Sequence, residues 1–345
     1  MSQKIVTVSD AEMTRRIFGS FDRNLLLIEN GCGVRVYNRG GVDGDAITVE
    51  GDDDCVLRAV EVLKYLKKIA SLGEEPTEQS VEYIIGMVCD GREGELSGYD
   101  EDCLFITPKG KPLKAKTVGQ KKYIDMIGKN TVTLGVGPAG TGKTYLAVMM
   151  AVKALRAHEI SRIILTRPAV EAGERLGFLP GDLQSKIYPY LRPLYDALYD
   201  MLGPETCSKL IERMTIEIAP LAYMRGRTLD DSFIILDEAQ NTTTEQMKML
   251  LTRLGSGSKI VATGDLTQTD LPSGQKSGLA TAVKILDGVE GIGIHRFSER
   301  DVVRHRLVQK IIVAYDKYDR SEGVKRAAKR SGTYRTNVHE RDTKN

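Results

Sequence analysis

An eight-residue glycine-rich stretch constrains what this chain can fold into more than any other feature. Its residues are Gly137, Pro138, Ala139, Gly140, Thr141, Gly142, Lys143 and Thr144. They have the spacing G-x-x-x-x-G-K-[ST], with a short apolar run at 131–136 before them and a long apolar stretch at 145–155 after them. Strand, glycine-rich loop and helix in this order are the context in which the motif binds phosphate. The sequence therefore predicts a phosphate-binding loop, and a glycine-rich turn that matches by accident is the less favoured alternative.

The chemistry of this loop assigns a role to each part of it. Glycines let successive backbone N–H groups point at one anion, and the start of the following helix adds partial positive charge. Lys143 is predicted to reach the β- and γ-phosphates of a nucleotide, and the Thr144 hydroxyl to bind Mg²⁺.

Composition favours a cytoplasmic protein without a membrane segment. No run approaches the ~18 apolar residues of a membrane span, and the N-terminus lacks the apolar core of a signal peptide. The 5 cysteines are scattered without a C-x-x-C pair, which fits a reducing compartment. The net charge is only +2, but residues 320–345 carry 8 lysines and arginines against 3 acidic residues. We expect this basic tail to be flexible, and it permits a polyanionic partner.

Residues 1–76 are predicted to form a small α+β domain. Strands are expected at 25–29, 34–37 and 46–50, and a helix is expected from the aspartates at 52–54 to about residue 70. The unit resembles the KH-like module of RNA-binding proteins, and Gly41-Val42-Asp43-Gly44 fits its G-x-x-G pattern. Asp43 is acidic where a clamp on a nucleic-acid backbone needs a basic residue. RNA binding and a packing or oligomerisation role both remain open for this domain.

The remainder predicts an α/β fold. Residues 77–116 are expected to be a linker with a short helix at 80–88. From residue 117 to 319, further strands are expected at 162–166, 233–236, 259–263 and 291–297, and helical stretches separate several of them. This alternation predicts an α/β domain with a mostly parallel sheet covered on both faces and ligands at the carboxyl ends of its strands.

Two carboxylates follow the predicted strand at 233–236. Asp237 and Glu238 cannot both be core residues at the end of an apolar run unless a cation accompanies them. Asp237 is predicted to hold Mg²⁺, and Glu238 to act as the general base towards the attacking water. The alternative is that one of them caps a helix.

Further polar residues are candidates for the same site. Gln268 follows the next strand and can contact the γ-phosphate or the attacking water, whereas a polar turn is its structural alternative. The amide of Gln120 can pair with an adenine edge. Four arginines can compensate charge on the transferring phosphoryl group, and each has an alternative as a surface ion pair. They are Arg167, Arg225, Arg227 and, as the favoured γ-phosphate ligand, Arg304.

Several stretches together resemble the PhoH family of P-loop ATPases, which is related to superfamily 1 helicase cores. They are residues 137–144, 165–181, 220–229, 237–243, 251–255, 263–268 and 301–305. The resemblance covers about residues 117–318 and departs from the family at Arg306, where proline is expected. It implies a KH-like N-terminal part, ATP and Mg²⁺ as ligands, and ATP hydrolysis by an RNA helicase or RNA-remodelling enzyme. It also implies association with a metal-dependent endoribonuclease in ribosomal RNA maturation.

A single RecA-like lobe carries a consequence for assembly. Superfamily 1 enzymes close two such lobes across the nucleotide, and residues 117–319 suffice for one. We therefore expect a homo-oligomeric ring, a hexamer, in which a neighbouring subunit supplies an arginine.

The sequence is compatible with three hypotheses about function. The first is an ATPase that binds single-stranded RNA, and the second is a nucleotide-gated scaffold that recruits a ribonuclease. The third, a small-molecule phosphotransferase, is disfavoured because Asp237, Glu238 and Gln268 together suit water activation. A GTPase is disfavoured because no N-K-x-D motif is present.

Overall fold

A small antiparallel sheet with helices forms the N-terminal part of the protein. The computed structural model describes residues 2–41, 44–96, 103–168, 183–272, 274–303, 307–308 and 311, with backbone only at 39–41, 44 and 183–190. The chain divides into two compact units, Met1–Val302 and Val303–Asn345, and the elements below belong to the first. Those of the N-terminal part are β1 (Ser2–Thr7), α1 (Ala11–Phe18), α2 (Arg23–Cys32), β2 (Arg35–Gly41), β3 (Gly44–Gly51), α3 (Asp53–Ser71) and α4 (Glu78–Cys89). The strands pair in the order β1-β3-β2.

The strand predicted at 25–29 is wrong, because these residues lie in helix α2. Asn24, Ile28 and Cys32 recur at a spacing of four and are all buried, whereas Leu26 is 52% exposed. A short apolar run fits strand and helix periodicity equally well, and here the contact of α2 with α3 and α4 favours the helix. The predictions at 34–37, 46–50 and 52–70 are confirmed by β2, β3 and α3.

Helix α4, expected inside a linker, packs against α2 and α3. Its Val81, Ile84 and Val88 are buried in the same hydrophobic core as Ile28. Leu96 also joins that core. The N-terminal packing unit therefore continues to about residue 96, beyond the predicted boundary at residue 76.

The larger part of the structure is an α/β layer arrangement. Its elements are β4 (Phe105–Ile106), β5 (Pro112–Leu113), α5 (Val118–Lys129), β6 (Val132–Val136), α6 (Lys143–Arg156), β7 (Arg162–Arg167), α7 (Leu183–Leu202), α8 (Pro204–Glu212), β8 (Ile216–Pro220), β9 (Ser232–Leu236), α9 (Thr244–Leu251), β10 (Lys259–Gly264), α10 (Gly278–Ile285) and β11 (Ile292–Arg296).

Six strands form one sheet in the order β11-β6-β10-β9-β7-β8, and every pair in it is parallel. The inner strands β6 and β9 are buried along their whole length, as their apolar sequences predict. One hydrophobic core on one face includes residues of α5, α6 and α7, and another on the opposite face includes residues of α9 and α10. This is a RecA-like P-loop α/β fold, which confirms the predicted fold class.

This topology brings the predicted functional residues to one edge. The glycine-rich loop follows β6, Arg167 ends β7, Asp237 follows β9 and Gly264 ends β10. Because these strands are parallel, all four positions lie at the carboxyl edge of the sheet. Strand β8, which the sequence analysis did not predict, extends the sheet next to β7. Within the described part of the chain, no helix is long and apolar enough to span a bilayer.

Candidate nucleotide site

The glycine-rich loop curls at the carboxyl end of β6. Gly137, Gly140 and Gly142 have φ angles of 154°, 85° and 81°, a region that side chains rarely adopt. The N–H of Gly137 donates to the carbonyl of Gly264 (3.1 Å), which joins the loop to β10. Helix α6 begins at Lys143, and the N–H groups of its first turn have no intrahelical acceptor. The loop and this helix start together form a cradle for an anion.

An aromatic cluster supports the loop from below. A Cβ atom at Gly137 would lie 2.6 Å from the Cβ of Phe297, so only glycine fits there. The ring of Tyr123 lies 5.1 Å from that of Phe297, and the ring of His295 lies 4.5 Å from it. The first glycine of the loop therefore packs against this aromatic cluster.

Burial keeps the ionisable members of this cluster neutral. Desolvation raises the pKa of the Tyr123 hydroxyl, and the negative charge of Asp237 adds to the shift. Desolvation also lowers the pKa of His295, which the charge of Asp301 partly opposes. At neutral pH both rings are uncharged and act as packing groups.

Lys143 folds back over the loop. Its Nζ donates to the carbonyl oxygens of Gly137 (2.7 Å) and Pro138 (2.8 Å), and it lies 3.4 Å from Oγ1 of Thr141. The ammonium group is thus held over the curl of the loop, at the place where a phosphate would enter. The contact of this lysine with the β- and γ-phosphates stays a prediction of the motif.

Thr144 and Asp237 are brought together although 93 residues separate them in the chain. The Thr144 hydroxyl donates to Oδ1 of Asp237 at 2.6 Å, and the Thr263 hydroxyl donates to the same oxygen at 2.9 Å. Asp237 is 6% exposed. Hydroxyl and carboxylate oxygens are the ligands that Mg²⁺ prefers, so this set fits the predicted metal role of Thr144 and Asp237.

Glu238 is held by two donors in an uncommon backbone conformation. Its φ is 52°, in the left-handed region. Nη2 of Arg167 donates to Oε1 at 2.7 Å, and Nε2 of Gln240 donates to Oε2 at 2.5 Å. The helix-cap alternative does not hold: no side-chain cap hydrogen bond from Glu238 accompanies the short helical turn that follows it.

Gln240 connects Glu238 to the end of β10. Besides Glu238, its Nε2 donates to the carbonyl of Gln268 (3.2 Å), and its Oε1 accepts from the N–H of Asp265 (3.2 Å). It is 1% exposed. The sequence predicted no role for Gln240 or Thr263, although Gln240 lies two residues after Glu238 and Thr263 is the last residue of a predicted strand.

The two glutamines that the sequence proposed have other contacts in the structure. Gln268 meets this network through its backbone, and its residue surface is exposed. The buried Gln120 accepts from the N–H of Lys116 (2.7 Å) and donates to the carbonyl of Thr141 (3.0 Å). Its amide thus links the segment before α5 to the phosphate loop, and its pairing with adenine stays a prediction.

The arginine candidates differ in where they lie relative to the site. Arg167 lies at the site, 3.7 Å from Asp237 through its Nε and in contact with Glu238. Arg227 forms a two-pronged ion pair with Glu217 (2.6 and 2.7 Å), which is its structural alternative. Arg304, the favoured candidate, lies outside the described residues.

A cavity of about 660 Å³ opens beside the two carboxylates. Its wall includes Thr144, Tyr145, Arg167, Asp196, Asp200, Asp237 and Glu238. The Tyr145 hydroxyl donates to Asp200 (2.5 Å), and burial raises the pKa of that tyrosine. The cavity adjoins the proposed metal ligands, where the terminal phosphate and an attacking water would have to meet.

Known proteins are similar to this chain in sequence. The family model described as PhoH-like protein matches residues 112–316. A PhoH-like protein of Bacillus subtilis is 51% identical over 320 residues, which is 92% of this chain and 97% of that protein. A PhoH-like protein of Mycobacterium tuberculosis is 52% identical over 317 residues, which is 91% of this chain and 88% of that protein.

One solved structure is also similar in part. It is the SWI2/SNF2 ATPase core of Sulfolobus solfataricus in complex with double-stranded DNA, with 18% identity and a TM-score of 0.29 over 42% of this chain and 30% of that chain. The family match and the two bacterial relatives confirm the resemblance found in the sequence and support nucleotide binding and hydrolysis. The phosphate loop, its partly buried threonine–aspartate pair and these relatives together show that the chain belongs to the PhoH family.

Proposed function

We propose that this protein hydrolyses ATP in the presence of Mg²⁺ and couples hydrolysis to the binding or remodelling of RNA. The observation that carries the hydrolytic part is the convergence of Lys143, Thr144, Asp237 and Glu238 at one edge of the sheet. A phosphate cradle, oxygen ligands for a cation and an adjacent carboxylate are the parts that phosphoryl transfer to water needs.

The protein's own groups divide the chemical work. The loop amides and Lys143 bind and orient the β- and γ-phosphates. Water forms a bond to the γ-phosphorus, the bond from that phosphorus to the β,γ-bridging oxygen breaks, and ADP leaves with the bonding electron pair. Glu238 takes the proton of the attacking water, so the products are ADP and inorganic phosphate.

Thr144 and Asp237 would hold Mg²⁺, directly or through water. When bound, the ion neutralises charge on the phosphate oxygens. Thr263 orients Asp237 through its 2.9 Å hydrogen bond, so that one carboxylate oxygen faces Thr144.

The RNA part of the proposal is supported by the resemblance and by the topology of the N-terminal unit. Its order β-α-α-β-β-α, with three strands and helices packed on them, suits a KH-like module. The pattern Gly41–Gly44 is not the clamp, because those two glycines pair across the β2–β3 hairpin. A helix start that follows a loop favours a bound phosphate. The connection from α1 to α2 has one, and Phe21 in it is 92% exposed.

Assembly and partners belong to the same proposal. A single six-stranded sheet carries the phosphate loop and both carboxylates, so a second surface that closes over the nucleotide would come from a neighbouring subunit. We accordingly propose a homo-oligomeric ring, a hexamer, and an endoribonuclease as a partner. Sedimentation of a fully active monomer would contradict the ring.

The experiment that tests the function is phosphate release with Mg²⁺ and ATP, with and without single-stranded RNA. The proposal expects turnover that rises several-fold with RNA, and Lys143→Ala gives the background rate. ATP binding with negligible turnover in both conditions would favour the nucleotide-gated scaffold and contradict the enzyme. Turnover that RNA leaves unchanged would refute the coupling but keep the ATPase.

A further inference from the structure

Arg167 bridges the two carboxylates of the site. It ends β7, and its side chain is 19% exposed. Nη2 lies 2.7 Å from Oε1 of Glu238, and Nε lies 3.7 Å from Oδ2 of Asp237. A guanidinium here touches both the proposed base and the proposed metal ligand.

Both carboxylate oxygens of Glu238 accept a hydrogen bond, Oε1 from Arg167 and Oε2 from Gln240. The left-handed backbone of Glu238 is unfavourable for a residue that is not glycine. Such a conformation persists only when its surroundings over-determine it, and Arg167 and Gln240 are two of the contacts that do so. The orientation of Glu238 therefore depends on where the guanidinium of Arg167 lies.

The charge of the cavity gives Arg167 a second possible partner. The wall carries the carboxylates of Asp196, Asp200, Asp237 and Glu238. Among the described residues that line this cavity, Arg167 is the only basic one. A terminal phosphate that enters beside Thr144 adds negative charge to an acidic wall. Arginine binds phosphate through paired N–H donors, so a guanidinium at this place is well suited to compensate that charge.

We propose that Arg167 exchanges partners, from Glu238 to the γ-phosphate, when a nucleoside triphosphate binds. The proposal rests on the ATPase function, since it takes Glu238 as the base. Once the guanidinium holds the phosphate, Oε1 of Glu238 becomes available for the proton of the attacking water. ADP has no γ-phosphate and leaves the Arg167–Glu238 pair in place. The γ-phosphate arginine then comes from the same chain as the phosphate loop.

The first test compares two ligands, a non-hydrolysable ATP analogue and ADP, each titrated with Mg²⁺ by calorimetry. Arg167→Gln is expected to weaken the analogue about 10-fold, the equivalent of one charge-assisted hydrogen bond, and to change ADP less than about 2-fold. The matched control is Arg162→Gln, at the opposite end of the same strand, where Nη2 donates to the carbonyl of Asp230 (3.3 Å). The control should leave both affinities unchanged.

The second test is a double-mutant cycle. Glu238→Gln should strengthen binding of the analogue several-fold, because the carboxylate no longer competes for Arg167. That gain should vanish in the Arg167→Gln background, since exchange couples the two residues. A gain of equal size in both backgrounds would mean that only charge is involved and would overturn the exchange. If Arg167→Gln does not fold, Arg167→Met, which is also uncharged, takes its place in the cycle.

Turnover separates failure of this inference from failure of the proposed function. If Arg167→Gln weakens both nucleotides equally, or turns over ATP faster than the wild-type protein, the exchange is refuted. In the first case Arg167 supports nucleotide binding without sensing the γ-phosphate, and in the second it only restrains Glu238. If the wild-type protein hydrolyses no ATP, the ATPase proposal fails by itself, and the ratio of analogue to ADP affinity still decides whether Arg167 senses the γ-phosphate.

Discussion

The carboxyl edge of the six-stranded sheet, where the candidate nucleotide site lies, and the N-terminal hydrophobic core bury different kinds of side chain. At the edge, Thr144, Asp237 and Gln240 are wholly or partly buried and contact other polar groups. In the N-terminal unit the interior consists mainly of apolar residues such as Ile28, Ile47 and Leu63. Buried polar groups are costly unless they are paired, so a protein concentrates them where chemistry needs them. Substitutions at the edge should therefore change activity, and substitutions in the N-terminal core should change stability.

The largest expected effect is on turnover at the edge. Lys143→Ala removes the charge that faces the phosphates, and we expect ATP turnover to fall by about 10³-fold or more. The melting temperature should change little, because the lysine contacts the loop mainly through backbone carbonyls. Phosphate release and thermal unfolding of the same preparation check both parts. A much lower melting temperature for Lys143→Ala would contradict the expectation that substitutions at this edge change activity and not stability.

Asp237→Asn should have the next largest effect. Loss of the carboxylate charge should raise the Mg²⁺ concentration needed for half-maximal turnover by about 10–100-fold. A Mg²⁺ titration of phosphate release measures it. Asp265→Asn is the matched control, because Asp265 is buried at the end of the next strand but accepts from Thr267. An equal Mg²⁺ shift in both variants would contradict the assignment of Asp237.

Ile28→Ala tests the other side of the comparison. Ile28 is fully buried in α2, and its truncation should lower the free energy of unfolding by about 2–5 kcal/mol. Turnover per folded molecule should stay at the wild-type level. Leu26→Ala in the same helix is the control, and it should cost less than about 0.5 kcal/mol because Leu26 is half exposed. Urea unfolding measures both, and equal costs would contradict the helical placement of this run.

Gln120→Ala should give the smallest effect, and it should lower both the stability of the protein and its affinity for nucleotide. Its loss leaves the N–H of Lys116 and the carbonyl of Thr141 without this partner, at a cost of about 1–3 kcal/mol. Because Thr141 belongs to the phosphate loop, affinity for ATP and for GTP should fall together. A loss confined to ATP would instead support the predicted contact with adenine.

The sequence predicted the edge better than the N-terminal unit for a physical reason. Apolar runs that end in Asp237 or in the glycine-rich loop show both a strand and the point where it stops. The run at 25–29 has no such ending, and only its packing on α3 and α4 decides that it is helical.

The contacts that orient the site were harder to predict. Arg167 meets Glu238 across 71 residues, and Gln240 meets the backbone of Gln268 across 28. Such pairs depend on the order of strands in the sheet, which no local pattern encodes. The short strand β8 was missed because Glu217 interrupts its apolar pattern and pairs with Arg227.

The most direct test of the account is a single-turnover measurement on Glu238→Gln with Mg²⁺ and ATP. The account predicts that this variant binds ATP at least as tightly as the wild-type protein and converts the bound ATP to ADP about 10²–10⁴-fold more slowly. Conversion at the wild-type rate would show that Glu238 is not the base. Failure of the variant to bind ATP, while it remains folded, would contradict the convergence of these residues on one nucleotide.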